Sequence, residues 1–182
     1  FISVPSGYDV SSDGLIPRTF VRLDGSEEDV ADFELVRTDN ERFTLFVMND
    51  IHLTNTVSTA DIQRFRNDFV PDYAAMLAKT PGKVYTTVLG DMTTDTRWYN
   101  NNFALPEYLE EMRAVPGAIP IWHVMGNHDN DIRCVGSSEL WDALAVETYR
   151  RVIGPNYYSF NLGQFHFVVL DDIVYTGVNT YN

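Results

Sequence analysis

Residues 43–52 read FTLFVMNDIH: an apolar run of strand length that ends abruptly in Asn, Asp and His. A continuous apolar run bounded by polar residues is the mark of a strand buried on both faces. The same form returns at 83–91, KVYTTVLGD, and at 119–127, IPIWHVMGN. Between the first two runs, residues 58–79 carry Ile62, Phe65, Phe69, Tyr73 and Leu77 at spacings of three and four. That spacing predicts an amphipathic helix, which Pro71 is expected to kink or split. A short helix is expected at 105–115, LPEYLEEMRAV, before the third run. Residues 137–154, SSELWDALAVETYRRVIG, predict a second long helix, with Leu140, Trp141, Leu144 and Thr148 on one face and Gly154 at its end. NYYSFNLG and QFHFVVLDD then read as two strands joined by a tight turn. Alternating strands and helices define an α/β architecture with a parallel sheet. Ahead of this, FISVPSGYDV and IPRTFVRL read as short β segments, DGSEED as an acidic turn and DFELVR as an edge strand.

The chain has 182 residues with 13 basic and 26 acidic side chains, a formal charge of −13. That balance argues against nucleic acid as a partner, because such binding depends on Lys and Arg at phosphates. An acidic protein still binds an anion where a metal supplies local positive charge. Cys134 is the only cysteine, so neither an internal disulfide nor a cysteine-based zinc site is available. No run of 18 apolar residues suggests a membrane span. The chain starts in strand-like sequence at Phe1 and stops at NTYN, and so reads as a piece of a longer protein. One cysteine and an upstream β segment favour an exported or periplasmic protein slightly over a cytoplasmic one.

Three strand ends carry the same chemistry: Asp50 and His52 end the first, Asp91 the second, and Asn127, His128 and Asp129 the third. Asp91 follows Asp50 by 41 residues, and Asn127 follows Asp91 by 36. Each interval suits one helical crossover, so the three ends are expected side by side along one sheet edge. Two carboxylates in one crevice repel unless a proton or a cation intervenes. His52, two residues after Asp50, can converge on the same ion. Asp91, with two oxygens, can bridge two ions, and Asn127 offers an amide oxygen to the second. Mixed oxygen and nitrogen donors suit Mn, Fe or Zn. Two such ions clamp a phosphoryl oxygen and lower the pKa of a water between them. Gly90 and Gly126 directly precede proposed ligands, where a missing Cβ allows a sharp turn and close approach.

DIH at 50–52, GDMTTD at 90–95 and GNHD at 126–129 resemble the first three motifs of the calcineurin-like metallophosphoesterases, and the likeness runs over about residues 43–172. It implies the first half of an α/β/β/α sandwich over residues 41–182, with 1–40 the end of an upstream β domain or a linker. It implies hydrolysis of phosphate mono- or diesters at a dinuclear centre held by Asp50, His52, Asp91 and Asn127. It further implies that His128 handles a proton rather than a metal, with Asp129 orienting it. Asp95 matches a supporting position, and the upstream segment is similar to one found in some bacterial members. Arg97, beside Trp98 and Tyr99, and Arg133 are candidates for substrate contact.

The pattern departs from that family after residue 129. The expected later His and Gly-His-x-His motifs are missing: after His128 only His166 remains, inside an apolar strand. His123, likewise inside a strand, reads as a packed core residue, as do Trp122 and Trp141. The chain is therefore expected to be an incomplete portion of the enzyme, with its remainder beyond Asn182 and with metal bound weakly or not at all. The competing reading is a scaffolding or binding domain that has kept the fold and lost catalysis. Intact DIH, GD and GNHD argue against it.

Overall fold

The computed structural model describes residues 1–181 apart from 24, 26–29, 118–119 and 178–179. The acidic turn expected at 24–29 lies, Gly25 excepted, outside the described residues. In chain order, short strands β1 (Tyr8–Val10), β2 (Ser12–Asp13), β3 (Ile16–Pro17) and β4 (Leu35–Arg37) come first. Then follow β5 (Phe43–Met48), α1 (Asp61–Arg64), a π-helical turn (Phe65–Phe69), α2 (Val70–Lys79), β6 (Lys83–Leu89), α3 (Leu105–Met112) and β7 (Ile121–Val124). The chain continues with α4 (Trp141–Ala145), α5 (Glu147–Val152), β8 (Tyr158–Leu162), β9 (Phe165–Val169), β10 (Tyr175–Gly177) and β11 (Thr180–Tyr181). None of the described helices is long and apolar enough to cross a membrane.

The three apolar runs form one parallel sheet in the order β5-β6-β7, with Phe46 opposite Thr86 and Val88 opposite His123. β6 is central, and Val88 on it is fully buried. One face packs on Ile62, Phe65, Tyr73, Tyr108, Met112 and Tyr149 of the helices. The other face carries Tyr85 and Trp122 against Phe160, Leu162 and Val169 of the antiparallel β8–β9 hairpin. Trp122 lies flat on Phe160, with ring centroids 3.9 Å apart and planes within 5°. Gly163 opens the two-residue turn between β8 and β9 at φ 52°, the sign that hairpin twist requires and glycine tolerates.

Described residues ahead of β5 contribute to the same two cores. Val4 and Val10 join the Trp122 side, and Leu15 joins the helical side. Ile121 N–H donates to Leu15 O at 2.8 Å, and Asn161 N–H to Val4 O at 2.9 Å. β1 pairs antiparallel with β4, which lies within the expected edge strand.

Two helices differ from expectation. The first starts at Asp61, and Pro71 neither splits nor ends it. Instead a π turn precedes the proline, with Val70 N–H on Phe65 O. The wider turn accommodates the ring and the missing N–H that would disrupt an α-helical ladder. The second long helix is broken into a 3-10 turn, α4 and α5. Its buried face is Ala145, Val146, Tyr149 and Ile153, while Leu140 is exposed and Trp141, Leu144 and Thr148 are half-buried. Trp141 Nε1 and Thr148 Oγ1 instead donate to Gly136 O and Asp131 of the preceding loop.

Candidate metal centre

Five non-glycine residues among those described have positive φ, and three are Asp50 (49°), His52 (45°) and Asp91 (47°). Left-handed backbone at such residues costs on the order of 1–3 kcal/mol each and persists only where the surroundings impose it. Here the imposition is visible. Past the ends of β5 and β6 the two chains keep pairing, with His52 N–H on Asp91 O at 2.8 Å and Leu53 N–H on Met92 O at 3.0 Å. The left-handed residues turn the side chains out of strand alternation and into one place.

His52 Nε2 lies 3.5 Å from Asp91 Oδ2 and 3.9 Å from Asp50 Oδ1. Asp50 also accepts a hydrogen bond from the Asn49 amide. The third strand end closes on this pair. Gly126 sits so tightly on the second strand end that a Cβ there would lie 2.3 Å from Asp91 N and 2.4 Å from Asp91 Oδ1. At Gly90, φ is 78° and an added Cβ would lie 2.7 Å from Gly126 Cα. His128 N–H donates to Asp91 Oδ1 at 2.9 Å, locking the loop onto the carboxylate. Donor atoms of His52, Asp91 and His128 all fall within 4.8 Å of one another, and the two imidazoles meet edge to face at 4.9 Å. Two nitrogens and a carboxylate at this separation fit a first-row divalent cation.

His128, read from sequence as a proton-handling group alone, thus also stands within the cation-binding cluster. Asn127 occupies the start of a 3-10 turn (Asn127–Asp129), half-buried, with its C=O accepting from Asn130 Nδ2 at 3.2 Å. The expectation for Asp129 is corrected. That side chain is fully buried and its two oxygens accept backbone N–H groups, Met92 at 3.0 Å and Gly126 at 2.9 Å. Burial pushes its carboxyl up to about 7, against the pull of the Gly126 and Met92 amides and aided by the nearby Asp91 charge. The carboxylate on the His128 ring is that of Asp95, fully buried, with Oδ1 at 3.0 Å from Nδ1. The tight 3-10 turn swings Asp129 inward, leaving the ring to the loop that follows β6.

Arg97 ends the short helical turn that carries Asp95, and it shares a groove with His52 and Thr94. Arg133 is exposed and lies over the Tyr99 ring at 4.1 Å, while Tyr99 OH donates to Asp131 at 2.5 Å. Thr94, whose hydroxyl is 3.4 Å from His52 Nδ1, and Asn130, buried beneath the third strand end, escaped the sequence reading. Neither carries a spacing signal; each is found only by where its loop folds. His123 is buried and hydrogen-bonded within the core, and His166 on β9 is bonded to Asn161, so neither histidine reaches the cluster.

Sheet edge, glycine contacts and donor cluster together describe a site suited to a divalent cation. The model of the calcineurin-like phosphoesterase family matches residues 43–180, and the chain belongs to that family. No curated protein matches it.

Proposed function

We propose that the protein hydrolyses phosphate mono- or diesters at a centre of two divalent ions of Mn, Fe or Zn. Asp50, His52, Asp91 and Asn127 would hold these ions. The observation that carries this reading is the clustering of His52, Asp91 and His128, whose donor atoms lie within 4.8 Å of one another, with Asp50 Oδ1 3.9 Å from His52 Nε2. When bound, the ions polarise the phosphoryl oxygens and make water acidic enough to attack at neutral pH.

The chain's own groups do the rest. Asp91, nearly buried, holds the third strand end through His128 N–H, so ligand and proton donor keep a fixed separation. His128 donates a proton to the leaving oxygen, and Asp95 fixes its ring plane and tautomer through Nδ1. His52 and His128 are the two imidazoles at the site, fewer than a fully ligated dinuclear centre draws on. Further ligands are therefore proposed to come from residues beyond Asn182.

The test is a hydrolysis screen of the full-length protein with generic aryl mono- and diesters and each of the three metals. Turnover that needs added metal, is abolished in Asp91→Asn with loss of metal, and is slowed in His128→Ala is the expected result. Metal-independent turnover, or unchanged rates in Asp91→Asn, overturns the proposal.

A further inference from the structure

A groove of about 950 Å³ adjoins the metal cluster at His52, with Thr94 and Arg97 also on its walls. Small-molecule sites run to roughly 300–1,000 Å³, so this one is far larger than a phosphoryl group requires. We propose that it seats the organic group of the phosphoester. In this role it favours apolar or aromatic groups over those bearing further phosphates. The inference rests on the hydrolytic reading above and adds a substrate class to it.

The walls are graded. Thr94 stands beside His52, its hydroxyl 3.4 Å from Nδ1, and Thr54 and Arg97 add a second hydroxyl and a guanidinium, groups suited to phosphoryl oxygens. The floor is Ile51, Leu53, Phe65 and Phe69, with the last two rings stacked at 5.2 Å and 18°. Those two rings bound the π-helical turn, a departure from α geometry that recurs at functional sites. From α1 to α2 the helix runs away from the catalytic edge: Tyr73 OH reaches Thr86 in mid-sheet, and Leu77 meets Gly117 before β7 begins. Asp68 and Asp72 therefore stand down the groove, away from the ends of β5 and β6, and with Asp61 they set three carboxylates against Arg64 and Arg97 in the lining. An apolar stem fits this surface. A second phosphate lying down the groove would meet net negative charge.

Two measurements test it. Naphthylmethylphosphonate and methylphosphonate, neither of them hydrolysable, are titrated calorimetrically into the full-length protein loaded with Mn. The naphthyl compound is expected to bind about tenfold tighter or better from apolar burial, and Phe69→Ala is expected to reduce that ratio toward unity. Separately, 2-naphthol is titrated into the ¹⁵N-labelled chain without metal. Amide shifts are expected at 47–72 and 94–97, independent of any catalytic competence and of how the variant folds. Equal affinities for the two phosphonates, or naphthol shifts absent from those segments, overturn the inference. Hydrolysis without preference for aryl esters overturns it alone. Naphthol seated in the groove of a protein that hydrolyses nothing supports the groove and overturns the hydrolytic reading.

Discussion

Asp95 Oδ1 lies 3.0 Å from His128 Nδ1, across 33 residues of chain, whereas Asp129, the neighbour of His128, faces the protein interior. A buried carboxylate on one ring nitrogen sets the tautomer and orientation of the other. Asp95→Asn keeps the shape and removes the charge, so metal content is expected to stay near that of the wild type. Turnover of a phosphoester with a poor leaving group is expected to fall by about tenfold to a hundredfold, within the range for acid–base groups. Esters with good leaving groups need less proton donation and should lose less. Equal losses on both kinds of ester would refute a role for Asp95 through His128.

Asp129 predicts the opposite pattern. Its carboxylate joins the loop after β6, through Met92 N–H, to the loop after β7, through Gly126 N–H. Asp129→Ala leaves two backbone donors, one of them buried, without this acceptor, a loss of about 2–6 kcal/mol at roughly 1–3 kcal/mol for each stranded group. Urea denaturation should show the lower midpoint, and Asp129→Asn, which restores one acceptor, should recover part of it. A midpoint unchanged in Asp129→Ala would mean that water replaces the carboxylate without penalty.

The contrast between these two aspartates marks where sequence reading reaches and where it stops. The meeting of the strand ends that carry His52, Asp91 and His128 was legible because a parallel sheet needs crossovers of that length. The order β5-β6-β7 follows from the same intervals. Choosing Asp95 over Asp129 as the partner of His128 depends on a 3-10 turn of three residues, which no spacing records. Periodicity likewise suggested a helix through residues 137–154. It did not show that the segment breaks near Val146 and buries its later half, because a polar loop supplies partners for Trp141 and Thr148. Pro71 was read as a kink or split of the helix, and the π turn that absorbs it instead depends on how Phe65 and Phe69 pack.

Gly126 is predicted to be irreplaceable for steric rather than conformational reasons. A Cβ there would stand 2.3 Å from Asp91 N and 2.4 Å from Asp91 Oδ1, closer than real contacts allow, and backbone cannot move aside as a flexible side chain can. Gly126→Ala should push the third strand end off Asp91 and break the His128 N–H bond to its carboxylate. Metal affinity, measured by calorimetry, should fall by about tenfold or more, as when groups supporting a ligand are lost. Stability should fall by about 1–3 kcal/mol from overpacking. An alanine variant that binds metal as the wild type does would show that the two strand ends separate freely, and that the close approach has no part in building the site.

His123 predicts a pH dependence of stability that does not involve the site. It is buried on β7, with Nδ1 donating to Ile121 O at 3.0 Å and Tyr108 OH 3.3 Å from Nε2, so the neutral ring satisfies both nitrogens. Burial lowers its pKa to about 4, against the opposing effect of the Ile121 carbonyl. In the unfolded chain the ring titrates near its ordinary value of 6.5. Between those two values the unfolded chain holds the extra proton. The contribution is therefore complete above the unfolded value and is lost as pH falls through that window toward the folded one. A shift of this size corresponds to at most about 3 kcal/mol. His123→Gln removes the titration, so its own hydrogen-bonding penalty is expected to be constant with pH. Urea midpoints of wild type and variant, compared from about pH 7 to about pH 4, should converge as pH falls, because the wild type alone loses this contribution. Parallel curves would mean that the folded protein takes up a proton at His123 as readily as the unfolded chain does.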